Sequence, residues 1–229
     1  MLRRLRKLTG RARRAFRRWQ NRSLERLRGT AYWEERARQH GRRAVLNLAH
    51  SDEEYDAVTR TQRQRLLPVL GQHLLGNERI ALDFGSGPGR FTPDLAALVG
   101  QAVGVDPIQS LLDLAPTAEN VSYRQLVGGR VPFEDHSFDV VWVCLVLGGL
   151  DPVTVEAAAL ELQRVLRPGG LLFLVENTAN KPSGKHWHFR SFEEYQALFP
   201  AIQLSQVDEY QDIGEPIAVM VGRSHAGGM

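Results

Sequence analysis

The stretch that most constrains this chain lies between residues 80 and 106. Ile80-Ala81-Leu82-Asp83-Phe84 is a short apolar run, Gly85-Ser86-Gly87-Pro88-Gly89 places three glycines within five residues, and Arg90 to Leu98 reads as a helix. Ala102-Val103-Gly104-Val105 is a second short strand, and Asp106 closes it. Strand, glycine-rich turn, helix, strand and terminal acid make the opening half of a nucleotide-binding βαβ unit, with a right-handed connection expected. Residues without a Cβ let backbone approach a ligand closely and adopt dihedrals that others avoid. An acid at the carboxyl end of the second strand can accept hydrogen bonds from both ribose hydroxyls. Asp106 stands 21 residues after Gly85, the reach such a unit needs. The spacing departs from the dinucleotide fingerprint G-x-G-x-x-G/A: Gly89 comes one position early, and Arg90 fills the final small-residue position.

Length and composition bound the rest. A chain of 229 residues with 43% hydrophobic residues suits one domain plus an appendage. A single cysteine, Cys144, excludes a disulfide scaffold or a cysteine-rich zinc module and fits a reducing compartment, so a cytoplasmic location is expected. The longest uncharged apolar run, Val140 to Leu150, has 11 residues, against roughly 18 or more for a membrane span. The net charge of +3 conceals a split. Residues 1–28 carry 12 Arg and Lys with one acid, Glu25, while the remainder is acidic, which argues against a nucleic-acid partner.

Residues 1–28 read as a basic amphipathic helix, with Leu2, Leu5, Leu8, Ala12, Phe16, Trp19 and Leu27 forming its stripe. Arginines interrupt it too often for a secretory signal. It admits three readings: a helix lying on an anionic membrane surface, an Arg-rich organellar presequence, or a solvated helix packed on this chain or on a second copy in a homodimer. Residues 29–78 read as a helical cap or lid. Tyr32 and Trp33 open a segment running to about Gly41, and a turn follows at His50-Ser51-Asp52. Ser51 and Glu54 have capping-box spacing ahead of a helix reaching about Leu70.

The pattern D-x-G-x-G-x-G from Asp83 to Gly89 resembles motif I of class I S-adenosylmethionine-dependent methyltransferases. The run Val131-Pro132-Phe133-Glu134-Asp135-His136-Ser137-Phe138-Asp139-Val140-Val141 is similar to that family's approach to strand 4, and Leu166-Arg167-Pro168-Gly169-Gly170-Leu171-Leu172-Phe173 to its turn into strand 5. These segments cover about residues 79–176. The resemblance implies an α/β domain over 79–229: a Rossmann-like seven-stranded sheet with helices on both faces and an antiparallel last strand. Candidate strands are Val121 to Arg124, Asp139 to Leu147, Leu171 to Glu176, and a closing pair, Ile202 to Asp208 and Pro216 to Gly222. Helices are expected at Val153 to Leu166 and Ser191 to Phe199.

The resemblance also implies S-adenosylmethionine as methyl donor and assigns its seat. Asp83 helps hold the amino group of the methionine part. Phe84, Gly85, Ser86, Gly87 and Gly89 pass beneath the cofactor. Asp106, with Pro107 and Ile108, takes the ribose. Where many relatives carry an acid for adenine, this chain reads Leu126-Val127-Gly128-Gly129, so adenine is expected to meet backbone near Leu126 and Val127. Cys144 and Leu145 are expected in the cofactor wall. Leu147-Gly148-Gly149 replaces a common Leu-His-His, leaving a roomier acceptor pocket. Tyr32, Trp33, Asn47, His50 and Tyr55 are expected to cover the cofactor.

Methyl transfer from a sulfonium is an in-line displacement in which the protein mainly aligns the reactants. A hydroxyl acceptor also needs its proton removed, a task suited to histidine. His186 and His188, flanking Trp187 after strand 5, are base candidates, and with Glu176 they are also a candidate metal pair, although no metal site is assigned. Mg²⁺ is compatible with the resemblance, but no motif supports it. His50 is a further base candidate. Asp151 is another, its competing role being the N-cap of the helix that begins at Pro152. Trp187 could stack on an acceptor ring or merely pack. The expected function is O-methylation of a small metabolite or (oligo)saccharide: the candidate histidines point to an oxygen acceptor, and the whole-chain pattern faintly resembles bacterial carbohydrate O-methyltransferases. The alternatives are N-, C- or carboxyl-methylation, or a non-catalytic cofactor-binding scaffold tethered by its basic helix. A dehydrogenase is disfavoured by Gly89 and Arg90.

Overall fold

The computed structural model describes residues 24–225. Most of the basic N-terminal segment therefore lies outside the described residues. Seven strands form one sheet in the order β3-β2-β1-β4-β5-β7-β6. They are β1 (Ile80–Phe84), β2 (Gln101–Asp106), β3 (Val121–Gln125), β4 (Phe138–Cys144), β5 (Leu166–Asn177), β6 (Ser205–Asp212) and β7 (Glu215–Arg223). The β1–β2, β1–β4, β2–β3 and β4–β5 pairs are parallel, while β7 runs antiparallel to both neighbours. The carboxyl ends of β1 to β6 thus share one edge. The seven-stranded sheet with its antiparallel last strand is the expected one.

Alternation along the strands sorts side chains to two faces. In β4, Val141 and Val143 join a cluster with Val155, Leu162 and Val165, which belong to helix α5 (Pro152–Val165). Val140 and Trp142 face the other way, onto Leu66 and Leu70 of α2 (Tyr55–His73) and Leu95 of α3 (Thr92–Val99). Both faces are covered, so the central strands are near-continuous apolar runs. Ahead of β1, α1 (Gly29–His40) leads into a 3₁₀ turn, Gly41–Val45. Their Ala37 and Ala44 pack with Ile108 and Leu111 beside the short helix α4 (Gln109–Leu112). The cap is therefore docked on the turn after β2.

Several boundaries differ from expectation for physical reasons. The Glu54 carboxylate accepts from Ser51 N–H at 2.6 Å, half of the expected capping box, and α2 starts at Tyr55. At α6 (Phe192–Leu198) both halves form, between Ser191 and Glu194. Strand β4 ends at Cys144, three residues early. Leu145 turns the chain at φ 57°, and the following amides are captured by Glu176 at the end of β5. Glu176 Oε1 accepts from Val146 N–H at 2.8 Å and Leu147 N–H at 2.7 Å, and Oε2 from Gly148 N–H at 3.2 Å. Arg190 holds the same loop by its carbonyls, donating to those of Leu147 at 2.8 Å and Leu150 at 2.9 Å. The sixth strand begins at Ser205 rather than Ile202, since the Gln196 side chain of α6 occupies Ile202 O at 3.0 Å and Leu204 N–H at 2.8 Å.

Glu176→Ala would leave three amides of this loop unpaired. A loss of about 3 kcal/mol or more is expected, read as a fall in Tm of roughly 6–12 °C for a chain of this size. Glu176→Gln, which keeps a carbonyl acceptor, should lose less. An unchanged Tm in Glu176→Ala would contradict the assignment.

Candidate active site

A pocket partly open to solvent lies over the carboxyl ends of β1, β2 and β4, where open α/β sheets commonly seat their ligands. Of the residues expected at the cofactor, Asp83, Phe84, Gly85, Ser86, Asp106, Pro107, Ile108, Leu126, Cys144 and Leu145 line it. Gly87, Gly89 and Val127 do not. Gly87 lies behind the wall, where its N–H donates to Asp106 Oδ2 at 2.9 Å. A Cβ added at Gly87, whose φ is 53°, would stand 2.7 Å from a Val45 methyl, and one at Gly85 would stand 2.5 Å from Val146. Those two glycines thus make room for protein as well as for a ligand. Gly89 is backed by Tyr123 and Pro116. Val127 is 72% exposed and bridges to Arg130 beyond β3, outside this pocket.

The acids at the strand ends carry the electrostatics. Asp106 Oδ1 accepts from Ile108 N–H at 2.8 Å, so its two oxygens tie the glycine loop to the turn after β2. Burial still pushes its carboxyl up to about 6. Asp83 accepts one bond, from the Thr92 hydroxyl at 2.6 Å, and burial raises it to about 7. Ser86 Oγ is buried with no hydrogen-bond partner among the described residues. The pocket walls therefore offer acceptors for hydroxyls, a carboxylate suited to a cation, and an orphaned hydroxyl. That donor and acceptor set fits an adenosyl sulfonium. Cys144 is pushed up to about 12 by burial, so its thiol stays protonated at neutral pH.

The cap contributes Trp33 and Val45 to the pocket, and Arg90, Phe91, Leu111, Val146 and Leu150 complete it. Among these, only Trp33 carried an expectation of contact. Asn47 and Tyr55 do not line it. Nothing in the local sequence of Val45 or Leu150 marks them, because both arrive through the packing of separate elements.

The base candidates scatter. Asp151 is the N-cap of α5, accepting from Val153 and Thr154 N–H at 3.1 Å each and from the Thr154 hydroxyl at 2.7 Å. These bonds hold its carboxyl below the usual range, which corrects its reading as a base. Glu176 is committed to the post-β4 loop, and no cluster of three metal-ligating side chains occurs among the described residues, so the metal pairing with His186 and His188 is not formed. The His186 ring stacks on Tyr32 at 3.8 Å, its planes 6° apart. Its buried Nε2 has no hydrogen-bond partner among the described residues, and burial, aided by Lys185, Arg28 and Arg36, lowers its pKa. His188 donates its backbone N–H to Gly148 O at 2.7 Å. Trp187 fills the space left by the missing side chain of Gly148, and Trp33 that beside Gly149. The room expected there is taken by two indoles. Neither His186, His188 nor His50 lines the pocket itself. His50, however, has an orienting partner: its Nε2 lies 2.8 Å from Asp212 Oδ1 at the carboxyl end of β6.

Two outcomes follow for the cofactor seat. Asp106→Ala should weaken S-adenosylhomocysteine binding by about 1.5–3 kcal/mol, the scale of a hydrogen bond to a charged group; unchanged affinity in calorimetry would contradict the ribose contact. A cationic ligand favours ionised Asp83, so affinity should be full above about pH 7 and fall by up to about tenfold per unit below it. Binding near neutral pH should release protons, seen as a dependence of the measured heat on buffer ionisation. Affinity flat from pH 5.5 to 8 would contradict it.

Comparison with known proteins agrees with this geometry. Residues 82–174 match the methyltransferase domain family. The chain is 37% identical over 107 residues to an uncharacterized methyltransferase of Mycobacterium tuberculosis, covering 46% of this chain and 43% of that protein. It is 33% identical over 149 residues to the ubiquinone/menaquinone biosynthesis C-methyltransferase UbiE of Shewanella frigidimarina, covering 59% and 58%. The chain thus spans less than two thirds of these relatives. The crystal structure of the Bacillus subtilis YcgJ protein superposes with a TM-score of 0.60 at 18% identity, covering 72% of this chain and all of that one. Residues 82–174 thus carry a methyltransferase domain, on the seven-stranded fold shared with the S-adenosylmethionine-dependent methyltransferases.

Proposed function

We propose that this protein transfers a methyl group to a hydroxyl of a small acceptor, with His50 as general base and Asp212 as the residue that orients it. The observation that supports this reading is the His50–Asp212 pair. The two side chains are only 10% and 17% exposed, and they join the cap to the carboxyl end of β6 across 162 residues of chain. A base held by a carboxylate is a recurrent arrangement for activating a nucleophile. With Nε2–H donated to Asp212, Nδ1 is the nitrogen left to accept a proton. Asp212 then stabilises the imidazolium that forms. Asp212 ends β6, whose carboxyl end shares the sheet edge with the strand ends beneath the pocket, and this supports a position for the pair beside the cofactor seat. When bound, S-adenosylmethionine supplies an activated methyl on a sulfonium. The chain's residues hold the adenosyl part, exclude water with Trp33 and Leu150, and accept the proton.

A carbon acceptor is the second reading. One relative is a C-methyltransferase, and much of the pocket wall is apolar, including Phe84, Phe91, Leu126 and Leu145. An enol or phenol ring also needs a proton removed, so the same dyad serves. A saccharide hydroxyl falls within the first reading.

Incubation of cell extracts with isotope-labelled cofactor, followed by mass spectrometry and NMR of the product, identifies the acceptor atom. With that acceptor, His50→Ala should lose roughly 10²–10⁴-fold in kcat with cofactor affinity intact, and Asp212→Asn should also lower kcat. Full activity in His50→Ala would move the base to His186 or His188. Cofactor binding without transfer to any acceptor would favour a non-catalytic scaffold.

A further inference from the structure

Two buried charges of opposite sign line the pocket without pairing to each other. Asp83, 3% exposed, has the Thr92 hydroxyl as its hydrogen-bond partner and no ion-pair partner among the described residues. Arg90, 7% exposed, follows the last glycine of the loop. Its Nε donates to Thr59 Oγ1 at 3.1 Å and its Nη2 to Gln62 Oε1, both neutral groups on α2. Nη1 has no hydrogen-bond partner among the described residues. The guanidinium lies 4.9 Å from the Phe91 ring centroid. The neighbouring Arg63 adds like charge, and its own carboxylate partner is Asp94, at 2.8 Å.

Buried charges in proteins are ordinarily paired, because an isolated one loses its hydration without recompense. A tie between the loop and α2 needs no positive charge, since a neutral donor on Thr59 and Gln62 would serve. Arg90 is close enough to Asp83 to draw its carboxyl down while burial raises it. They nevertheless stay apart, within one pocket. The group that satisfies both is a zwitterion with an ammonium and a carboxylate on one carbon. The methionine end of S-adenosylmethionine is such a group, and the rest of its seat is set by Asp106.

We propose that Arg90 binds the carboxylate of the cofactor's amino-acid end, forming with Asp83 a two-point clamp on that zwitterion. The clamp rests on the cofactor reading of the pocket. It gives Arg90 a reason to occupy a position where the dinucleotide fingerprint demands a small residue. It also explains why α2, through Thr59 and Gln62, closes on the cofactor side of the sheet: those two side chains aim the guanidinium and leave one edge free.

Calorimetry with two nucleosides tests it. S-adenosylhomocysteine carries the amino-acid end and 5′-methylthioadenosine lacks it. Arg90→Gln should weaken S-adenosylhomocysteine by about 10–100-fold, the range expected for a charge-assisted pair, and leave methylthioadenosine within about twofold. Arg90→Lys keeps the charge without the planar fork, and should fall between wild type and Arg90→Gln. Should Arg90→Gln fail to fold, Arg90→Lys alone must still discriminate against S-adenosylhomocysteine more than against methylthioadenosine. Equal weakening of both ligands, or of neither, would overturn the clamp. Failure of the wild-type protein to bind either nucleoside would overturn the cofactor reading itself.

Discussion

The structure depends on carboxylates buried at the carboxyl ends of its strands. Asp83 ends the useful part of β1, Asp106 ends β2, and Glu176 stands near the end of β5. Each is buried and each is raised toward neutrality. Burying such groups is unfavourable unless something repays the lost hydration. For Glu176 and Asp106 the repayment is backbone: loop amides that would otherwise be orphaned donate to the carboxylate oxygens. Asp83 has a single hydroxyl. The two well-satisfied acids shape the loops, and the poorly satisfied one lines the pocket.

This division organises the site. Asp106 ties the glycine loop to the turn after β2, fixing one wall. Glu176 and Arg190 grip the loop after β4 from its two sides, fixing another. The cap supplies the roof, with Val45 against Gly87 and Trp33 against Gly149. Because the cap is seated on glycines, its closeness to the strand ends is built into the sequence at two separate places. Arg90 then links roof to floor, reaching from the loop to Thr59 and Gln62.

What could be read in the sequence was what lies close in sequence. The strand, glycine turn, helix and acid between Ile80 and Asp106 fall within one βαβ unit, legible from periodicity and spacing; the seven-stranded sheet came with the family resemblance, and most of the residues that resemblance named for the cofactor line the pocket. The Asp151 N-cap was similarly local, visible as an acid before Pro152. The unread parts are contacts between distant segments. Asp212 lies 162 residues from His50, and no pattern links them. Glu176 ends an apolar strand and invited a ligand role, while its partners are amides 28 to 30 residues earlier. Gly148-Gly149 looked like an opened pocket because a sequence does not show that Trp187 and Trp33 fill it. Arg90 stood in plain view as an exception to a motif, but its burial without a carboxylate could be recognised only in three dimensions.

The central claim is that this pocket is the seat of an adenosyl sulfonium, with ribose at Asp106 and the amino-acid end between Asp83 and Arg90. A crystal structure of the protein grown with S-adenosylhomocysteine tests it most directly. The account predicts the nucleoside over Gly85 and Ser86, both ribose hydroxyls on the Asp106 carboxylate, and the ammonium and carboxylate on Asp83 and Arg90. A ligand bound with its ribose away from Asp106, or with its amino-acid end reversed toward Leu126, would contradict it.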